Sequence, residues 1–312
     1  MTLNQISYIE AVARRGNFSK AAEECCVSQP ALSMQVRQLE DELGMKIFDR
    51  GKNAIRPTPN GQAFIKQARA VLLEVAKLKE IAHLNQEQVA GKVSVGIIPT
   101  IAPYLLPLFI QAYTQQFPEI ELDIRELTTD EITQQILDFK LDIGILATPL
   151  EIEDLIEVPL FYEPMLAYVS PHSSIYNKSF ALPHEINPNE LWLLEEGHCL
   201  RSQILKLCEL KQQTNLNPQI TFQAGSIETL IRLVDKYQGI TILPELATLE
   251  LPKEALKKVR KFAEPEPQRE VSLVHHAYFN RIAVTESLRS TILSKLPKHF
   301  LQNQKSNTLK PK

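Results

Sequence analysis

The sequence predicts an α/β protein built from a helical N-terminal unit, one long linker helix and a larger α/β domain. Three short helical patterns lie within the first 44 residues, and residues 61–88 keep a helical period without proline or internal glycine. From residue 90 onward, short apolar strand patterns alternate with helical ones, which is typical of α/β domains. At 312 residues the chain is long enough for two or three domains.

Composition argues against several classes of protein. The chain is 44% hydrophobic and 23% charged, and no apolar run reaches membrane-spanning length, so we predict no membrane span. The N-terminus lacks the basic and then apolar layout of a secretory signal, which predicts a cytoplasmic protein. Four cysteines are too few for a disulfide scaffold. They form two distant pairs, and with seven scattered histidines they predict neither a metal site nor a cofactor.

The charge distribution has the sign expected of a DNA-binding N-terminus, although the asymmetry is small. Residues 1–90 hold 12 lysine and arginine residues against 10 acidic ones, whereas residues 91–312 hold 22 against 27. The net charge of the whole chain is −3. A few well-placed cations, rather than bulk charge, would therefore have to contact the phosphates.

Residues 1–60 predict a winged helix-turn-helix. A first amphipathic helix stops at Gly16, and Ser19 is the N-cap candidate of the second helix. Ser28 is the predicted N-cap of the third helix, Pro30 lies in its first turn, and Gly44 ends it. The short connection between the second and third helices is that of a helix-turn-helix. The cations that follow surround a Gly-Lys-Asn sequence and predict a small β-wing; they are Lys46, Arg50, Lys52 and Arg56.

The linker helix, residues 61–89, carries a heptad pattern. Its apolar residues are spaced 4, 3, 4, 3 and 4 apart, which is the a/d seam of a two-stranded coiled coil. We therefore predict dimerisation through this helix; the alternative is an ordinary helix packed on its own domain. The predicted dimerisation residues are Phe64, Ala68, Val71, Val75, Leu78 and Ala82.

Residues 90–300 are predicted to form the α/β domain, with largely parallel sheets. Such sheets place ligand sites at the carboxyl ends of their strands. The polar residues 301–312 are predicted to be a disordered tail. The predicted strands are Lys92–Ile98, Glu121–Glu126, Leu141–Leu146, Met165–Val169, Leu191–Leu194, Ile220–Gln223, Ile240–Leu243 and Val271–His275.

The N-terminal unit closely resembles the winged helix-turn-helix of LysR-type transcription regulators. The segment FSKAAEECCVSQPALSMQVRQLEDELGMKIFDR, residues 18–50, matches the long family motif almost throughout, with Ile47 where leucine is usual. The resemblance implies a double-stranded DNA operator and a third helix that enters the major groove. For some side chains, Gln35 above all, a merely solvated helix face is the alternative. The predicted DNA-binding residues are Ser28, Gln29, Pro30, Ser33, Gln35, Arg37, Arg50 and Arg56.

The rest of the chain resembles the regulatory domain of the same family, which has two α/β lobes like a type 2 periplasmic binding protein. On this resemblance the second lobe spans about residues 163–266, and the effector site lies between the lobes. The segment LEEGHCLRSQ, residues 194–203, followed by Cys208, is similar to the peroxide-sensing subfamily. That similarity implies hydrogen peroxide as the signal, RNA polymerase as a further partner, and a homodimer or homotetramer.

Cys199 and Cys208 carry the redox chemistry that the resemblance implies. A thiolate attacks peroxide to give a sulfenic acid, and a second thiol condenses with that acid to form a disulfide. Cys199 opens a predicted helix whose dipole favours a thiolate, and Cys208 is the cysteine nearby in sequence. Nine residues of helix rise by about 13 Å, whereas a disulfide needs Cα atoms within about 7 Å. Forming the disulfide would therefore unwind part of residues 199–208.

Five further residues are predicted to form the peroxide pocket. His198 and Arg201 are polar neighbours of Cys199 in sequence and would lower the pKa of its thiol. Thr100 and Thr129 match family positions that supply hydroxyls, and Arg269 matches a cationic position that would stabilise the thiolate. The alternative roles are a helix cap for Thr100 and an ion pair with an acidic side chain for Arg269.

Two other functions fit parts of the sequence. A LysR-type regulator that binds a small organic effector would leave the cysteines incidental, and titration of free thiols before and after peroxide separates the two cases. A thiol peroxidase is disfavoured by the DNA-binding motif and by the absence of a CxxC sequence, so no enzyme is predicted. Cys25 and Cys26 end the second helix and are predicted to be buried or half-buried thiols without a sensing role.

Overall fold

The computed structural model describes residues 1–49, 55–83, 89–209, 224–279, 281–302 and 307–311. The chain divides into an N-terminal unit, residues 1–87 with 278–280, and a C-terminal unit that holds the remainder. Each unit has its own hydrophobic core. In the described part of the chain, no helix combines the length and the apolar character needed to cross a bilayer.

Three helices pack around the core of the N-terminal unit. The N-cap of the second helix is Asn17, whose side chain accepts hydrogen bonds from the backbone N–H groups of Ser19 (2.8 Å) and Lys20 (3.1 Å). The prediction that Ser19 is this N-cap is therefore wrong, because the extended backbone at Asn17 (φ −154°) starts the helix earlier. The three helices are α1 (Leu3–Arg15), α2 (Phe18–Glu24) and α3 (Gln29–Leu43).

The caps of α3 are those that the sequence predicts. The Ser28 hydroxyl accepts a hydrogen bond from the N–H of Ala31 (3.4 Å), and Gly44 ends the helix in the left-handed region (φ 67°). Two short strands then form an antiparallel pair, β1 (Phe48–Asp49) and β2 (Arg56–Pro57). They provide the wing of the helix-turn-helix.

A buried carboxylate fixes the wing to α3. Oε1 of Glu40, a side chain almost fully buried, accepts hydrogen bonds from the N–H groups of Ile47 (2.8 Å) and Phe48 (3.1 Å). The linker helix then passes so close to this point that a Cβ at Gly61 would lie 2.0 Å from the carbonyl oxygen of Ile47. Glycine is therefore required at this position.

The linker helix α4 spans Pro59–His83. Phe64 packs against the core of the N-terminal unit and Ala68 is 4% exposed in the single chain. Arg69 also lies 3.7 Å from the carboxylate of Glu10 on α1. The first two predicted seam positions therefore contact the chain's own domain, which is the alternative stated for this helix.

The later seam positions are less enclosed. Val71 and Val75 are only half-buried in the single chain. The side chains of Leu78 and Ala82 lie outside the described part of the structure. Dimerisation through this half of α4 stays a prediction.

The first lobe of the C-terminal unit is a parallel sheet with helices between its strands. The central strand β3 pairs in parallel with both β4 and β5. Thr100 follows β3 and Thr129 follows β4, so both lie at the carboxyl edge of the sheet. The elements are β3 (Gly91–Ile97), α5 (Ala102–Gln116), β4 (Ile120–Glu126), α6 (Thr129–Leu137) and β5 (Ile143–Thr148).

The second lobe has its own core between residues 165 and 262. Leu191–Leu194, predicted to be a strand, forms only isolated bridges at its two ends, and Ile220–Gln223 lies outside the described residues. Its elements, after β6 (Leu155–Val169), are β7 (Phe180–Ala181), α7 (Cys199–Leu207), α8 (Ile227–Lys236), β8 (Ile240–Pro244), α9 (Lys253–Leu256) and β9 (Val259–Phe262).

Two long strands join the lobes. Strand β10 (Pro267–His276) pairs antiparallel with both β5 and β6, and β6 also pairs antiparallel with β8 and β9. The main sheet has the order β4-β3-β5-β10-β6-β9-β7. The prediction of largely parallel sheets is therefore wrong outside the first lobe. The chain leaves the first lobe along β6 and returns along β10, and these two neighbouring strands run antiparallel.

The C-terminal residues also differ from their prediction. Helices α10 (Ile282–Lys295) and α11 (Lys298–Gln302) precede strand β11 (Asn307–Thr308), which pairs in parallel with β10. The N–H of Leu309 donates a hydrogen bond to the carbonyl oxygen of Gln268 (2.7 Å). The predicted disorder is therefore wrong for residues 301–302, which end α11, and for residues 307–311, because local polarity does not reveal that a distant strand offers an unpaired edge.

Candidate redox site and DNA-binding surface

Cys199 is the first residue of α7, as predicted, and its side chain is buried with 7% exposed. The N–H groups of Cys199 itself and of Leu200 favour the ionised sulfur, as expected at a helix N-terminus. His198 occupies the N-cap position of α7, but its side chain accepts no hydrogen bond from the backbone of the first turn. The thiol therefore lies where backbone donors are available to a thiolate.

The hydroxyl of Thr129 faces the same sulfur from the first lobe. Thr129 begins α6 and is 5% exposed. Its Oγ has no partner with ordinary hydrogen-bond geometry among the described residues, yet it lies close enough to Cys199 to favour the thiolate. A buried hydroxyl of this kind is free to donate a hydrogen bond to a thiolate or to a small molecule at the sulfur.

Arg269 is the cation of the site, and it is fully buried. Its Nη1 donates to the Thr100 hydroxyl (3.0 Å) and its Nη2 donates to the Thr100 carbonyl (3.1 Å). Its Nε donates to Oε2 of Glu163 at 2.6 Å, and both side chains are 0% exposed. The alternative of an ion pair is thus observed for Arg269, and the Arg269 charge also acts on the Cys199 thiol.

Burial has the largest effect on the Cys199 thiol and raises its pKa. The charge of Arg269 opposes this rise, and so do the hydroxyl of Thr129 and the N–H groups of the first turn of α7. The prediction that neighbours lower this pKa is wrong for the net shift, because desolvation outweighs them. The resting group is therefore a thiol with donors in place around it.

The two polar neighbours in sequence have other partners. Nη1 of Arg201 donates to the carbonyl oxygen of Leu194 (2.9 Å), which fixes the loop before α7. Nε2 of His198 lies 3.8 Å from the carboxylate of Glu195. Neither side chain is among the main groups that act on the Cys199 sulfur; Arg269 and Thr129, distant in sequence, provide the largest opposing effects.

Cys208 lies at the other end of α7. It is the C-cap residue, its N–H donates to the carbonyl oxygen of Ile204 (3.0 Å), and its side chain belongs to the core of the second lobe. Burial raises the pKa of its thiol to about 12. Because α7 is intact between Cys199 and Cys208, the two cysteines are separated by about 13 Å of helical rise.

The sequence did not indicate three residues of this region. Glu163 is the buried partner of Arg269, and its carboxylate also accepts a hydrogen bond from the N–H of Leu246 (2.7 Å). The hydroxyl of Tyr104 on α5 donates to Oε1 of Glu228 on α8 (2.5 Å), which joins the two lobes. The one available signal was Glu163, an acidic residue inside the apolar segment VPLFYEPML.

The exposed face of α3 begins at its N-terminus. Ser28, Gln29 and Pro30 are exposed, and Ser33 is half-buried one turn later. Met34 on the same helix is 63% exposed. This end of α3 has the access that a recognition helix needs.

The other predicted DNA-binding residues differ in their exposure and in their contacts. Gln35 is half-buried and its Oε1 accepts a hydrogen bond from Gln5 on α1 (3.2 Å), so it also stabilises the helix-turn-helix. Arg37 is exposed and its Nε lies 4.0 Å from Asp41. Arg56 is exposed on β2, whereas Arg50 lies outside the described residues.

The second cysteine pair is far from α7 in sequence and belongs to the N-terminal unit. Cys25 is half-buried, and burial raises the pKa of its thiol. Cys26 is exposed, with a left-handed backbone (φ 55°) at the end of α2. The prediction of a buried or half-buried thiol is therefore wrong for Cys26, because the chain turns outward there.

Family models match both units of the chain. Residues 3–62 match the bacterial regulatory helix-turn-helix protein of the lysR family, and residues 86–303 match the LysR substrate binding domain. A helix-turn-helix joined to such a domain defines a DNA-binding transcription regulator rather than an enzyme. The chain belongs to the LysR family of these regulators, as its sequence predicted.

Individual relatives place the chain among the OxyR proteins of this family. The hydrogen peroxide-inducible genes activator of Haemophilus influenzae is 38% identical over 276 residues, which are 88% of this chain and 90% of that protein. The DNA-binding transcriptional dual regulator OxyR of Escherichia coli K12 is 37% identical over 300 residues, 96% and 97% of the two chains. A cysteine-to-aspartate variant of full-length OxyR from Pseudomonas aeruginosa superposes with a TM-score of 0.80 and 35% identity over 94% of each chain.

Proposed function

We propose that this chain is a transcription regulator that responds to hydrogen peroxide through Cys199. The relatives named for induction by hydrogen peroxide support the signal. The observation that carries the proposal is the cluster at the N-terminus of α7. There the buried Cys199 thiol meets the charge of Arg269 and the Thr129 hydroxyl, which has no other partner among the described residues.

The proposed chemistry has two balanced steps. The Cys199 sulfur attacks one peroxide oxygen, the O–O bond breaks, and the departing hydroxide takes up the thiol proton, giving a sulfenic acid and one water. The Cys208 thiol then attacks the oxidised sulfur, the S–O bond breaks, and a second water leaves as the disulfide forms. Thr129 and Arg269 stabilise the thiolate in the first step.

The proposed signal is a change of shape. The two Cα atoms must approach within about 7 Å, so the helix between Cys199 and Cys208 cannot remain intact in the disulfide form. The regulatory domain would pass this change to the DNA-binding unit of a homodimer or homotetramer joined through Val71 and Val75. The thiol and disulfide forms would then differ in how they bind the operator or engage RNA polymerase.

Mass spectrometry of the full chain after stoichiometric peroxide tests the redox step. We expect a peptide pair linked between Cys199 and Cys208, with Cys25 and Cys26 still alkylated as thiols. Cys199→Ser should give no oxidised product at position 199, because a serine hydroxyl does not ionise near neutral pH. Cys208→Ser should accumulate a sulfenic acid at Cys199 that a trapping reagent labels more strongly than in the wild type. Peroxide-dependent operator binding that survives in Cys199→Ser and fails in Cys25→Ser/Cys26→Ser would contradict the proposal.

Operator binding separates the two kinds of proposed DNA contact. Arg56→Ala should weaken binding to all operators and reduce the slope of log affinity against log salt by about 1, because a phosphate contact carries little base information. Ser33→Ala should weaken binding to some operator variants more than to others. Arg125→Ala, which removes an exposed arginine of the C-terminal unit, is the matched control and should bind like the wild type. Unchanged affinity in both test variants would contradict this docking of α3 and the wing.

A further inference from the structure

Residues 307–311 contact β10 on one side and α7 on the other, and they fill the groove between these two elements. Strand β5 ends at Thr148, which pairs with Glu270 of β10. Strand β11 pairs with the next part of β10, at Pro267 and Gln268. The N–H of Leu309 donates to the carbonyl oxygen of Gln268 (2.7 Å). One side of the segment 307–311 is therefore fixed to β10 by strand addition, immediately before Arg269.

The other side of the segment is fixed to α7. Gln203 is 0% exposed in the middle of α7, and its Nε2 donates to the carbonyl oxygen of Leu309 (2.8 Å). The side chain of Leu309 packs against the core of the second lobe. Lys310 forms an ion pair with Glu151, beyond the end of β5. The segment thus connects the helix that carries Cys199 with the strand that carries Arg269.

Gln203 lies between the two cysteines of α7, four residues after Cys199 and five before Cys208. Resting on the proposed redox function, a Cys199–Cys208 disulfide unwinds part of this helix. The position of Gln203 depends on the helical backbone, so its hydrogen bond to Leu309 is lost when the backbone unwinds. A buried Gln203 with neither amide nitrogen nor Oε1 paired would then be costly, since Oε1 already has no partner among the described residues.

We propose that the groove between α7 and β10 is a peptide-binding site whose ligand is the chain's own segment 307–311, bound in the thiol state and released in the disulfide state. Because the segment binds the thiol state and not the disulfide state, it stabilises the thiol state and opposes disulfide formation. It therefore sets the oxidant threshold of Cys199 without contacting the sulfur. Release also exposes an edge of β10 that is paired in the thiol state.

Hydrogen exchange of the full chain in a Cys25→Ser/Cys26→Ser background tests both parts of this proposal. In the thiol state, we expect Gln203→Leu to raise the exchange rate of the Leu309 amide by about tenfold, because a shape-matched apolar side chain cannot donate to Leu309. Ser202→Ala, an exposed change on the same helix, is the matched control and should leave this rate unchanged. Equal protection of Leu309 in Gln203→Leu and the wild type would overturn the proposed binding site.

The redox part is measured on a deletion variant and on the oxidised wild type. Deletion of residues 307–312 should make the disulfide harder to reduce in a thiol–disulfide buffer, shifting the equilibrium by about tenfold toward the disulfide. Oxidised wild type should exchange the Leu309 amide at least as fast as thiol-state Gln203→Leu, because release removes the contacts to β10 as well. A disulfide that forms while Leu309 stays protected would overturn the release and leave the redox function intact. Absence of any disulfide would contradict the redox function, and the thiol-state comparison would still decide the binding site.

Discussion

Replacing Glu163 with alanine is expected to lower the free energy of unfolding of the C-terminal unit by about 3–5 kcal/mol. Glu163 and Arg269 are 0% exposed and their ion pair is 2.6 Å long, so the substitution leaves a guanidinium charge without a counterion. It also leaves the N–H of Leu246 without its acceptor. Urea unfolding followed by the fluorescence of Trp192, the single tryptophan, measures the loss in the second lobe.

Two comparison variants separate the ion pair from the general effect of a substitution. Glu153→Ala removes an exposed carboxylate and should change stability by less than about 1 kcal/mol. The double variant Glu163→Gln/Arg269→Met removes both charges at similar volume and should recover most of the loss, because a neutral pair carries no unmatched charge. A loss for Glu163→Ala as small as that for Glu153→Ala would mean that the pair does not stabilise the fold.

The helix-turn-helix was predictable because its signals are local. The caps at Ser28 and Gly44 and the apolar period of α3 lie within a few residues of the structure they determine. The sequence offers both Asn17 and Ser19 as caps of similar chemistry, and the structure uses Asn17, which lies two residues earlier. Errors of this kind move a boundary and leave the element intact.

The sheet and the tail were not predictable in the same way because their partners are distant in sequence. Strand β10 lies between β5 and β6, and the direction of its pairing depends on how the chain returns from the second lobe. The docking of residues 307–311 depends on an edge of β10 that β5 leaves unpaired. Polar composition alone suggested a disordered tail, since no local feature records that edge.

In the candidate site, too, the features with local signals were predictable and those with distant partners were not. The sequence predicted Cys199 at the start of a helix and Cys208 nine residues further along it, and in the structure Cys208 is the C-cap residue of that helix. The family resemblance was needed to add Arg269 and Thr129 from other elements, and no pattern paired Arg269 with Glu163, 106 residues away. The net pKa shift of the Cys199 thiol is not predictable from the sequence, which shows charged neighbours but does not show burial, and burial outweighs them.

The double variant Glu163→Gln/Arg269→Met is expected to remain folded and to oxidise at Cys199 about tenfold or more slowly near neutral pH. Burial already raises the pKa of the Cys199 thiol, and the Arg269 charge is the largest effect that opposes this rise. Without that charge the pKa rises further, and each unit of rise lowers the thiolate fraction about tenfold. Single-turnover consumption of peroxide, measured in the Cys25→Ser/Cys26→Ser background, gives the rate.

The pH profile of the same reaction tests the cause of the slower rate. Below its raised pKa, Cys199 is mostly a thiol, so the wild-type rate should climb about tenfold per pH unit between about pH 6 and about pH 8. The double variant should show the same slope displaced to higher pH, and Thr129→Val, which removes a hydroxyl and no charge, should show a smaller displacement. A wild-type rate independent of pH over this range would contradict the raised pKa. Equal rates for the wild type and the double variant would show that Arg269 does not stabilise the reacting thiolate, and would leave Thr129 and the N–H groups of α7 as its stabilising donors.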